Sequence, residues 1–532
     1  MTETDGANDR QMRRMVYLLL TIIATAMVGG RIAVVQSSTG EVPFLSANDR
    51  SRWCTISALV DDGTYAIDRQ INYREPVRKR RVWYSIDLVR HRGADGEQHY
   101  YSSKPPLYPT MLAGVYAAFR ALTGASLFAD PFYVGRWLLA ITNLLPMIGY
   151  FAIMLSLIER FGKTNYGRLL AATAVTCGTL LVPFAISLSN HLPAAISSAV
   201  ALVCVLAIGD RRGSLWLGFV AGLAGGFAAA NELPALSMTC LWGALLLLSG
   251  GLRATSMYAL GLLVVAVAFF GTNYYAHGSW RPPYMHRGNG PMIARIDAGA
   301  ETPDVAMVRS ALIEAEGDAV EAVSEQTPLE ILETTKPHLI EVWLPETQQR
   351  YALTRDDAGW KLSHWDDWYE YPGTYWQPRY RTGVDKGEQS RGLYAFHATW
   401  GHHGIFSLTP IWVLSIIGCG MWVRSGSVCY RNMSLAIGLA TLVCFAFYIA
   451  RPLIDRNYGG VSCAFRWMLW FIPLWIWLLL PAADWIAKHP LGRGLGYVLL
   501  AVGLFSVVCS LENPWQHPWI YRYWDNLGWL SY

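Results

Sequence analysis

Long apolar stretches alternate with polar segments along the 532-residue chain. Several of the apolar stretches approach the roughly 20 residues that a helix needs to cross a bilayer. They predict about eleven transmembrane helices, at approximately 15–35, 131–158, 167–187, 192–209, 214–230, 233–250, 255–275, 404–424, 432–450, 463–484 and 494–511. The pattern therefore indicates an all-α polytopic membrane protein.

Two polar segments are too long to be simple turns between these helices, and they cover residues 36–130 and 276–402. In the first, residues 107–123 are apolar but short, and we interpret them as an interfacial helix that does not cross. In the second, residues 297–335 have helical spacing, whereas 338–381 alternate like strands and contain turn signals. The second segment is therefore expected to form a small α+β insert.

This pattern divides the chain into three stretches. The expected domains are an N-terminal membrane core at 1–275 that includes the first external loop at 36–130, an extracytoplasmic insert at 276–402, and C-terminal helices with an external tail at 403–532.

The basic residues orient the helices. Arg10, Arg13 and Arg14 precede the first span, and Arg160 and Lys163 lie in a short loop between later spans. Because short basic loops favour the cytoplasmic side, we expect a cytoplasmic N-terminus and external placement of both long polar segments. A basic run at 78–81 lies in the first long segment, where the rule is weak because of the loop's length.

Composition supports a membrane protein and excludes several kinds of chemistry. The chain is 53% hydrophobic and 15% charged, against about 25% charged residues in ordinary soluble domains. Its net charge of +4 gives no indication of nucleic-acid binding. The sequence contains no P-loop, no dinucleotide-binding glycine fingerprint and no Asp-x-Asp pair. An activated substrate outside the cytoplasm would therefore have to arrive attached to a lipid.

Unusual polar residues gather at the predicted outer ends of the helices. They are Asp49, Lys104, His191, Glu232, His402, His403, Arg456, Tyr458 and Arg466. Ionisable groups near the membrane are costly and are usually functional, so together they predict an outward-facing cavity.

Each of these positions also has an ordinary structural explanation. Glu232 equally fits a cap of the following helix, and His191 equally fits a histidine satisfied at the interface. His402 and His403 have no further ligands at metal-binding spacing, so a divalent metal stays an open question.

Lys104 stands out because of its setting, between two tyrosines and two serines on one side and a double proline on the other. Proline restricts both its own backbone and that of the preceding residue. A cation held in this way at the headgroup level suits a phosphate. The alternative is a lysine that only extends its ammonium group to the interface.

Three stretches resemble a known family. Asn48–Trp53 after the first span, Lys104–Leu107, and Arg136 at the start of the second span are similar to the GT-C superfamily of integral-membrane glycosyltransferases. The likeness is greatest to protein O-mannosyltransferases and lipid A aminoarabinose transferases. Residues 457–467 resemble a late motif of bacterial members.

The resemblance implies transfer of a sugar from a polyprenyl-phosphate donor, with inversion, to an extracytoplasmic protein, glycan or lipid. It implies a site on the outer face of a bacterial inner membrane, surrounded by membrane lipids. By position, Asp49 would activate the acceptor and Lys104 would contact the donor phosphate, with Arg136 and Arg466 stabilising charge. Asp49 is followed by Arg50 instead of an acid, which departs from the family pattern.

Two other functions fit a polytopic protein. A transporter or lipid flippase often contains internal repeats with matched polar breaks, and this sequence shows no such symmetry. A polysaccharide polymerase or ligase usually has a large external loop late in the chain, which does not explain the Lys-Pro-Pro element in the first loop.

Overall fold

The computed structural model describes residues 6–210, 214–299, 301–315, 323–334, 336 and 338–530. Helices dominate these residues, as the apolar pattern predicted. The α-helices are α1 (Ala7–Val34), α2 (Ala47–Ser57), α3 (Asp68–Asn72), α4 (Leu107–Thr123), α5 (Pro131–Leu139), α6 (Leu145–Phe161), α7 (Asn165–Cys177), α8 (Leu181–Phe184), α9 (His191–Gly209), α10 (Trp216–Asn231), α11 (Leu236–His277), α12 (Val305–Glu314), α13 (Arg391–Thr399), α14 (Ile405–Leu408), α15 (Trp412–Ser425), α16 (Val428–Ala450), α17 (Ile472–Ile486), α18 (Pro490–Ser510) and α19 (Trp519–Asn526).

Eight helical segments of the described residues are long and apolar enough to cross a membrane by length and composition. They are Asn8–Val34, Pro131–Phe161, Asn165–Phe184, His191–Gly209, Leu233–His277, Val428–Ala450, Arg466–Ile486 and Pro490–Ser510. Two shorter apolar helices, Trp216–Asn231 and Trp412–Ser425, coincide with further predicted spans. The all-α polytopic class is confirmed, whereas the count of eleven spans stays a prediction.

The long segment α11 is broken at Gly251, whose φ of 72° lies outside the helical region. Glycine adopts this left-handed conformation without the steric cost of a Cβ atom. The break falls between the predicted spans at 233–250 and 255–275, so the sequence placed it correctly. α4 is not among the eight long apolar segments, and its interfacial placement remains an expectation.

The strands form two antiparallel sheets. They are β1 (Leu88–Arg92), β2 (Gln98–Ser102), β3 (Arg287–Ile296), β4 (Glu330–Glu333), β5 (Leu339–Leu344), β6 (Gln349–Asp356) and β7 (Gly359–Asp367). β1 and β2 form a hairpin, and the other five strands form one sheet in the order β3-β7-β6-β5-β4. All pairs are antiparallel, and β6 and β7 join at a tight turn in which Asp356 pairs with Gly359.

The larger sheet is stabilised by an apolar face that packs against α12. Val342, Leu353 and Leu362 from three neighbouring strands and Val308 and Leu312 from the helix are all fully buried in one cluster. Alternation along each strand places these side chains on the same face. The predicted α+β insert is therefore present.

The described residues fold into two compact units. The helical unit contains 1–49, 114–269 and 382–532, and the sheet-containing unit contains 50–113 and 270–381. Each unit contains segments that are separate in sequence but in contact in the fold. The predicted domains, with boundaries at 275 and 402, are continuous in sequence, and that division stays a prediction.

Two local details differ from the sequence-based expectation. The first polar segment contains the hairpin β1–β2, which no pattern had indicated. In the insert, α12 occupies only Val305–Glu314 of the stretch with helical spacing, and Glu330–Glu333 at its end form strand β4. The predicted helix is wrong there because pairing with β5 prevails over local propensity. Part of the same stretch, at 300, 316–322 and 335, lies outside the described residues.

Candidate functional site

A buried polar network lies in the helical unit and joins three of the predicted residues. The Nδ1 atom of His191 is 2.5 Å from Oε1 of Glu232, and its Nε2 atom is 2.9 Å from Nη1 of Arg466. The His191 side chain is 0% exposed and that of Glu232 is 6% exposed. The structure brings these three positions into contact, and the outward-facing cavity that they were expected to line stays a prediction.

The network fixes where the proton of His191 lies. A guanidinium group has donors only, so Arg466 must donate to Nε2 of the imidazole. The ring proton then lies on Nδ1 and is donated to the Glu232 carboxylate. His191 is thus a neutral bridge between a carboxylate and a guanidinium, and the network as a whole carries no net charge. Pairing of this kind offsets the large cost of removing both ions from water.

Helix ends bring the three residues to one place. His191 is the first residue of α9, Glu232 directly follows α10, and Arg466 opens the 3₁₀ segment Arg466–Phe471 before α17. Asn190 adds a donor, because its Nδ2 atom lies 2.7 Å from Oε1 of Glu232. Glu232 also lies at the N-terminus of the following 3₁₀ turn, where its side chain makes no capping hydrogen bond, and a favourable interaction with the helix dipole stays open.

A tight turn next to the network holds Arg466 in position. The Nε atom of Arg466 donates to the Gly459 carbonyl at 2.8 Å. Tyr458, Gly459 and Gly460 have φ values of 58°, 96° and 78°. Tyrosine in this left-handed region is strained, and such strain concentrates at functional sites. Asn457 braces the turn, since its side-chain oxygen accepts the Gly459 amide at 3.3 Å.

Tyr458 leads from this turn into a cluster of histidine rings. Its ring stacks on His403 with centroids 4.6 Å apart, and the Nδ1 atoms of His402 and His403 are 2.5 Å apart. His397 stacks on His402 at 4.0 Å, and His517 lies 5.9 Å from His403. We call His397, His402, His403 and His517 the four-histidine cluster.

Burial keeps this cluster neutral. It lowers the pKa of His402 to about 2 and that of His397 and His517 to about 4. The pKa of His403 is also lowered by burial, and further by its three histidine neighbours. A close contact between two ring nitrogens requires that one carries a proton and the other accepts it.

The cluster does not have the spacing of a metal centre. Two nitrogens that ligate one zinc ion tetrahedrally lie roughly 3.3 Å apart, whereas the Nδ1 atoms of His402 and His403 are closer than that. Within the described ranges, no group of three or more His, Cys, Asp or Glu side chains could hold a metal ion. The metal requirement of the protein stays open.

Asp49, the predicted catalytic residue, is buried at the start of α2. Its carboxylate accepts hydrogen bonds from the amides of Leu45 and Ser46 at 3.0 and 2.9 Å. In return, the Ser46 hydroxyl accepts the Asp49 amide at 3.1 Å. This reciprocal pair is a capping box, which closes the N-terminus of a helix. Asp49 therefore has a structural role in addition to the catalytic role that the sequence suggests.

Lys104 lies in the sheet-containing unit and is paired with an acid that the sequence reasoning missed. Its Nζ atom is 3.1 Å from Oδ1 of Asp87. The Lys104 amide also donates to the Ser102 hydroxyl at 3.2 Å, so the residue is held as the double proline predicted. No pattern distinguishes Asp87 from the other acids of the first polar segment, because only the fold brings it next to the lysine.

Two other predicted cations, Arg136 and Arg456, donate hydrogen bonds to backbone carbonyls. The Nη2 atom of Arg136 donates to the Val35 carbonyl at the end of α1, at 2.9 Å. The Nη1 atom of Arg456 donates to the Gln389 carbonyl at 2.8 Å. Cations at helix C-termini stabilise the last carbonyls, so these contacts give Arg136 a structural explanation. Its phosphate-binding role, like every assignment of a site residue, stays a prediction.

No family model and no curated protein sequence matches the chain. Among solved structures, the chain is similar to the oligosaccharyltransferase AglB from Archaeoglobus fulgidus in complex with an inhibitory peptide and a dolichol-phosphate, with 8% identity and a TM-score of 0.43. That match covers 97% of this chain and 58% of AglB, so the chain spans less than two thirds of that protein.

It is also similar to the S. cerevisiae protein O-mannosyltransferase complex bound to the sugar donor, with 10% identity and a TM-score of 0.45. That match covers 97% of this chain and 92% of the other. Both proteins are glycosyltransferases of the GT-C superfamily that the sequence motifs resemble. At these identities and TM-scores, neither likeness assigns a role to any residue of this chain.

Proposed function

We propose that this protein is a membrane glycosyltransferase that transfers a sugar from a polyprenyl-phosphate donor to an acceptor outside the cytoplasm. The observation that carries the proposal is the buried Glu232–His191–Arg466 network at the ends of α9 and α10. Keeping a carboxylate and a guanidinium buried among apolar helices is costly, and such groups are usually functional. The acceptor is a protein, a glycan or a lipid, and the host membrane is the bacterial inner membrane.

The reaction explains why cations are needed. An acceptor hydroxyl attacks the anomeric carbon of the donor sugar, and a new C–O bond forms with inversion. The bond between that carbon and the phosphate oxygen breaks, and its electron pair leaves with the polyprenyl phosphate. The leaving phosphate gains one negative charge, so positive groups fixed beside it stabilise the transition state. The hydroxyl proton passes to a carboxylate base.

Arg466 is the cation best suited to the leaving phosphate. Its acceptor in the network is a neutral imidazole nitrogen, 2.9 Å away. A phosphate oxygen is a stronger acceptor because the hydrogen bond then joins opposite charges. The donor phosphate can therefore replace His191 at Nη1, while Gly459 and the Trp515 ring, 5.0 Å from the guanidinium carbon, keep the side chain in place. Lys104, in the sheet-containing unit, stays the phosphate-binding candidate that the sequence predicts.

Asp49 is the proposed base, and Glu232, which is also buried in the helical unit, is the second candidate. Asp49 accepts three hydrogen bonds from Leu45 and Ser46, whereas Glu232 accepts from His191 and Asn190. Hydrogen bonds to a carboxylate favour its charged form. Both acids therefore have donors that stabilise the ionised form that a base needs.

The test uses the purified full chain with a panel of polyprenyl-phosphate sugars and membrane extracts as the acceptor source. Release of polyprenyl phosphate is measured by mass spectrometry. We expect release with at least one donor, and its loss in Arg466→Ala. Arg424→Ala is the matched control, because Arg424 lies in the last turn of α15, away from the network.

Release that is equal in the Arg466→Ala and Arg424→Ala proteins would show that the network does not bind the phosphate. Movement of an intact labelled donor across proteoliposome membranes, without release of polyprenyl phosphate, would replace the enzyme proposal with a transporter or flippase.

A further inference from the structure

The sheet-containing unit has a small cavity of about 260 Å³ whose polar lining is basic. Arg90, Arg92 and Arg350 contribute guanidinium groups, and no carboxylate belongs to the described residues that line it. The rest of the lining is His91, Gln98, His277, Gln348, Gln349, Tyr351, His364, Trp365 and Trp368. Its volume equals that of about nine water molecules, which is room for a single small ligand.

Arg350 is built into the wall of this cavity. Its side chain is 5% exposed, its Nε atom is 2.5 Å from Oε1 of Glu341, and its Nη2 atom donates to the Glu370 carbonyl at 2.8 Å. The guanidinium group also lies over the Trp365 ring, with its carbon 3.9 Å from the ring centre. These contacts hold the Arg350 guanidinium group in one orientation, so it does not rotate towards solvent.

Three buried polar atoms of the lining have no hydrogen-bond partner within the described structure. They are Nη1 of Arg350, Nε of Arg90 and Oε1 of Gln98. An unsatisfied buried group is costly, and each one calls for an explanation. Two cationic donors and one neutral acceptor in the same cavity match a ligand that carries both an anionic group and a hydroxyl.

The charge of the cavity supports the same ligand. Three guanidinium groups line it, and Glu341 pairs with that of Arg350. The Trp365 ring lies under the Arg350 guanidinium, and the Trp368 ring packs against His91 and His286. Guanidinium donors beside a neutral acceptor suit a sugar ring with an acidic substituent.

We infer that this cavity binds an anionic sugar residue, either a uronic acid or a sugar phosphate. A second cavity of about 1190 Å³ shares His91, Arg92 and His277 with it, but Asp62, Asp68 and Asp95 in its lining distinguish that space from the basic cavity. That this sugar belongs to the acceptor rests on the proposed function. The binding itself does not.

The experiment measures binding to the full chain in lipid nanodiscs, without any donor. The probes are D-glucuronate, α-D-glucose 1-phosphate, inorganic phosphate and D-glucose, and the readout is tryptophan fluorescence with calorimetry as a check. We expect one of the two anionic sugars to bind at least tenfold more tightly than D-glucose and inorganic phosphate, and added salt to weaken it.

Arg90→Gln should weaken that binding about tenfold. The Nε atom of Arg90 has no hydrogen-bond partner within the described residues, so the variant should remain folded. Arg295→Gln removes an exposed pair with Asp356 outside the cavity and serves as the control. Equal binding of D-glucose, equal binding of inorganic phosphate, no binding of either anionic sugar, or equal loss in both variants would overturn the inference. Binding here, together with no release of polyprenyl phosphate in the separate donor assay, would refute the proposed function and leave this site standing.

Discussion

At the scale of single residues, the contacts of one side chain can fit both a structural role and a catalytic role. Asp49 is a helix-capping residue by its contacts, yet its position after the first span also matches the acid of the resembled family. Glu232 lies at the N-terminus of the following 3₁₀ turn and also contacts His191 and Asn190, so its position fits both a helix-end role and a site role. Only variants that separate the two roles decide the matter for Asp49.

Asp49→Asn should reduce sugar transfer by at least about 100-fold, the usual contribution of a positioned base. The amide oxygen can still accept one backbone amide, so the loss of stability should be only about 1 kcal/mol. Transfer rate and thermal unfolding in detergent measure the two effects.

Ser46→Ala is the matched control, because it removes the other half of the capping box and leaves the carboxylate. It should cost a similar stability with little loss of transfer. If both variants lose activity equally, or if Asp49→Asn is fully active, then Asp49 caps the helix and is not the base.

At the scale of elements, the turn at 457–460 connects the network to the four-histidine cluster. A Cβ atom on Gly459 would lie 2.5 Å from Nε of Arg466, and the φ of 96° disfavours any other residue. Gly459→Ala should therefore displace Arg466, destabilise the protein by about 2 kcal/mol and reduce transfer.

Gly420→Ala in α15 is the control for that variant, since its Cβ would meet no atom within 4 Å. Helix propensity favours alanine there, so stability should be unchanged or slightly higher. Unchanged transfer in Gly459→Ala would show that the position of Arg466 does not limit the reaction.

The four-histidine cluster predicts a direction of pH dependence. Burial lowers the pKa of His397 and His517 to about 4, against about 6.5 in the unfolded chain. Between these values the unfolded state binds more protons, so the free energy of unfolding must fall as the pH falls. The stability that the neutral cluster contributes is fully present above about pH 6.5 and is lost progressively towards pH 4.

Thermal unfolding of the purified protein between pH 7 and pH 4 tests this prediction. His397→Gln should make the melting temperature less dependent on pH, whereas His338→Gln, on a residue outside the cluster, should leave the dependence unchanged. An unchanged slope in His397→Gln would show that the acid sensitivity arises elsewhere.

The elements differ in how well the sequence predicted them, and the reason is physical. Apolar length determines a membrane helix locally, so the helices and even the break at Gly251 could be placed in advance. The hairpin β1–β2 could not, because neither Leu88–Arg92 nor Gln98–Ser102 shows the alternation of apolar and polar residues that identifies a strand. Site residues could be predicted only where a polar residue stands out from an apolar stretch, as His191, Glu232 and Arg466 do. Asp87 and His517 lie in polar segments, where one more polar residue does not stand out.

At the scale of the whole molecule, the helices satisfy the length and composition of membrane spans, but their orientation rests on charge. Arg13 is fully buried and paired with Glu159 at 2.6 Å, so it contributes to packing as well as to the distribution of basic residues. Arg160 likewise pairs with Asp210. Charged side chains that are paired inside the fold indicate membrane topology less strongly than exposed ones do. The orientation of the helices in the membrane must therefore be measured directly.

Cysteine accessibility measures it. Lys163 and Asp357 are both exposed, one in the turn between α6 and α7 and the other in the turn between β6 and β7. With the N-terminus in the cytoplasm, Lys163→Cys should resist a membrane-impermeant maleimide in intact cells and react after permeabilisation, whereas Asp357→Cys should react in both. The parent protein, labelled in the same way, measures the background reaction of its nine native cysteines. The reverse pattern would place the sheet-containing unit in the cytoplasm, where nucleotide sugars are available, and would remove the reason for a lipid-linked donor.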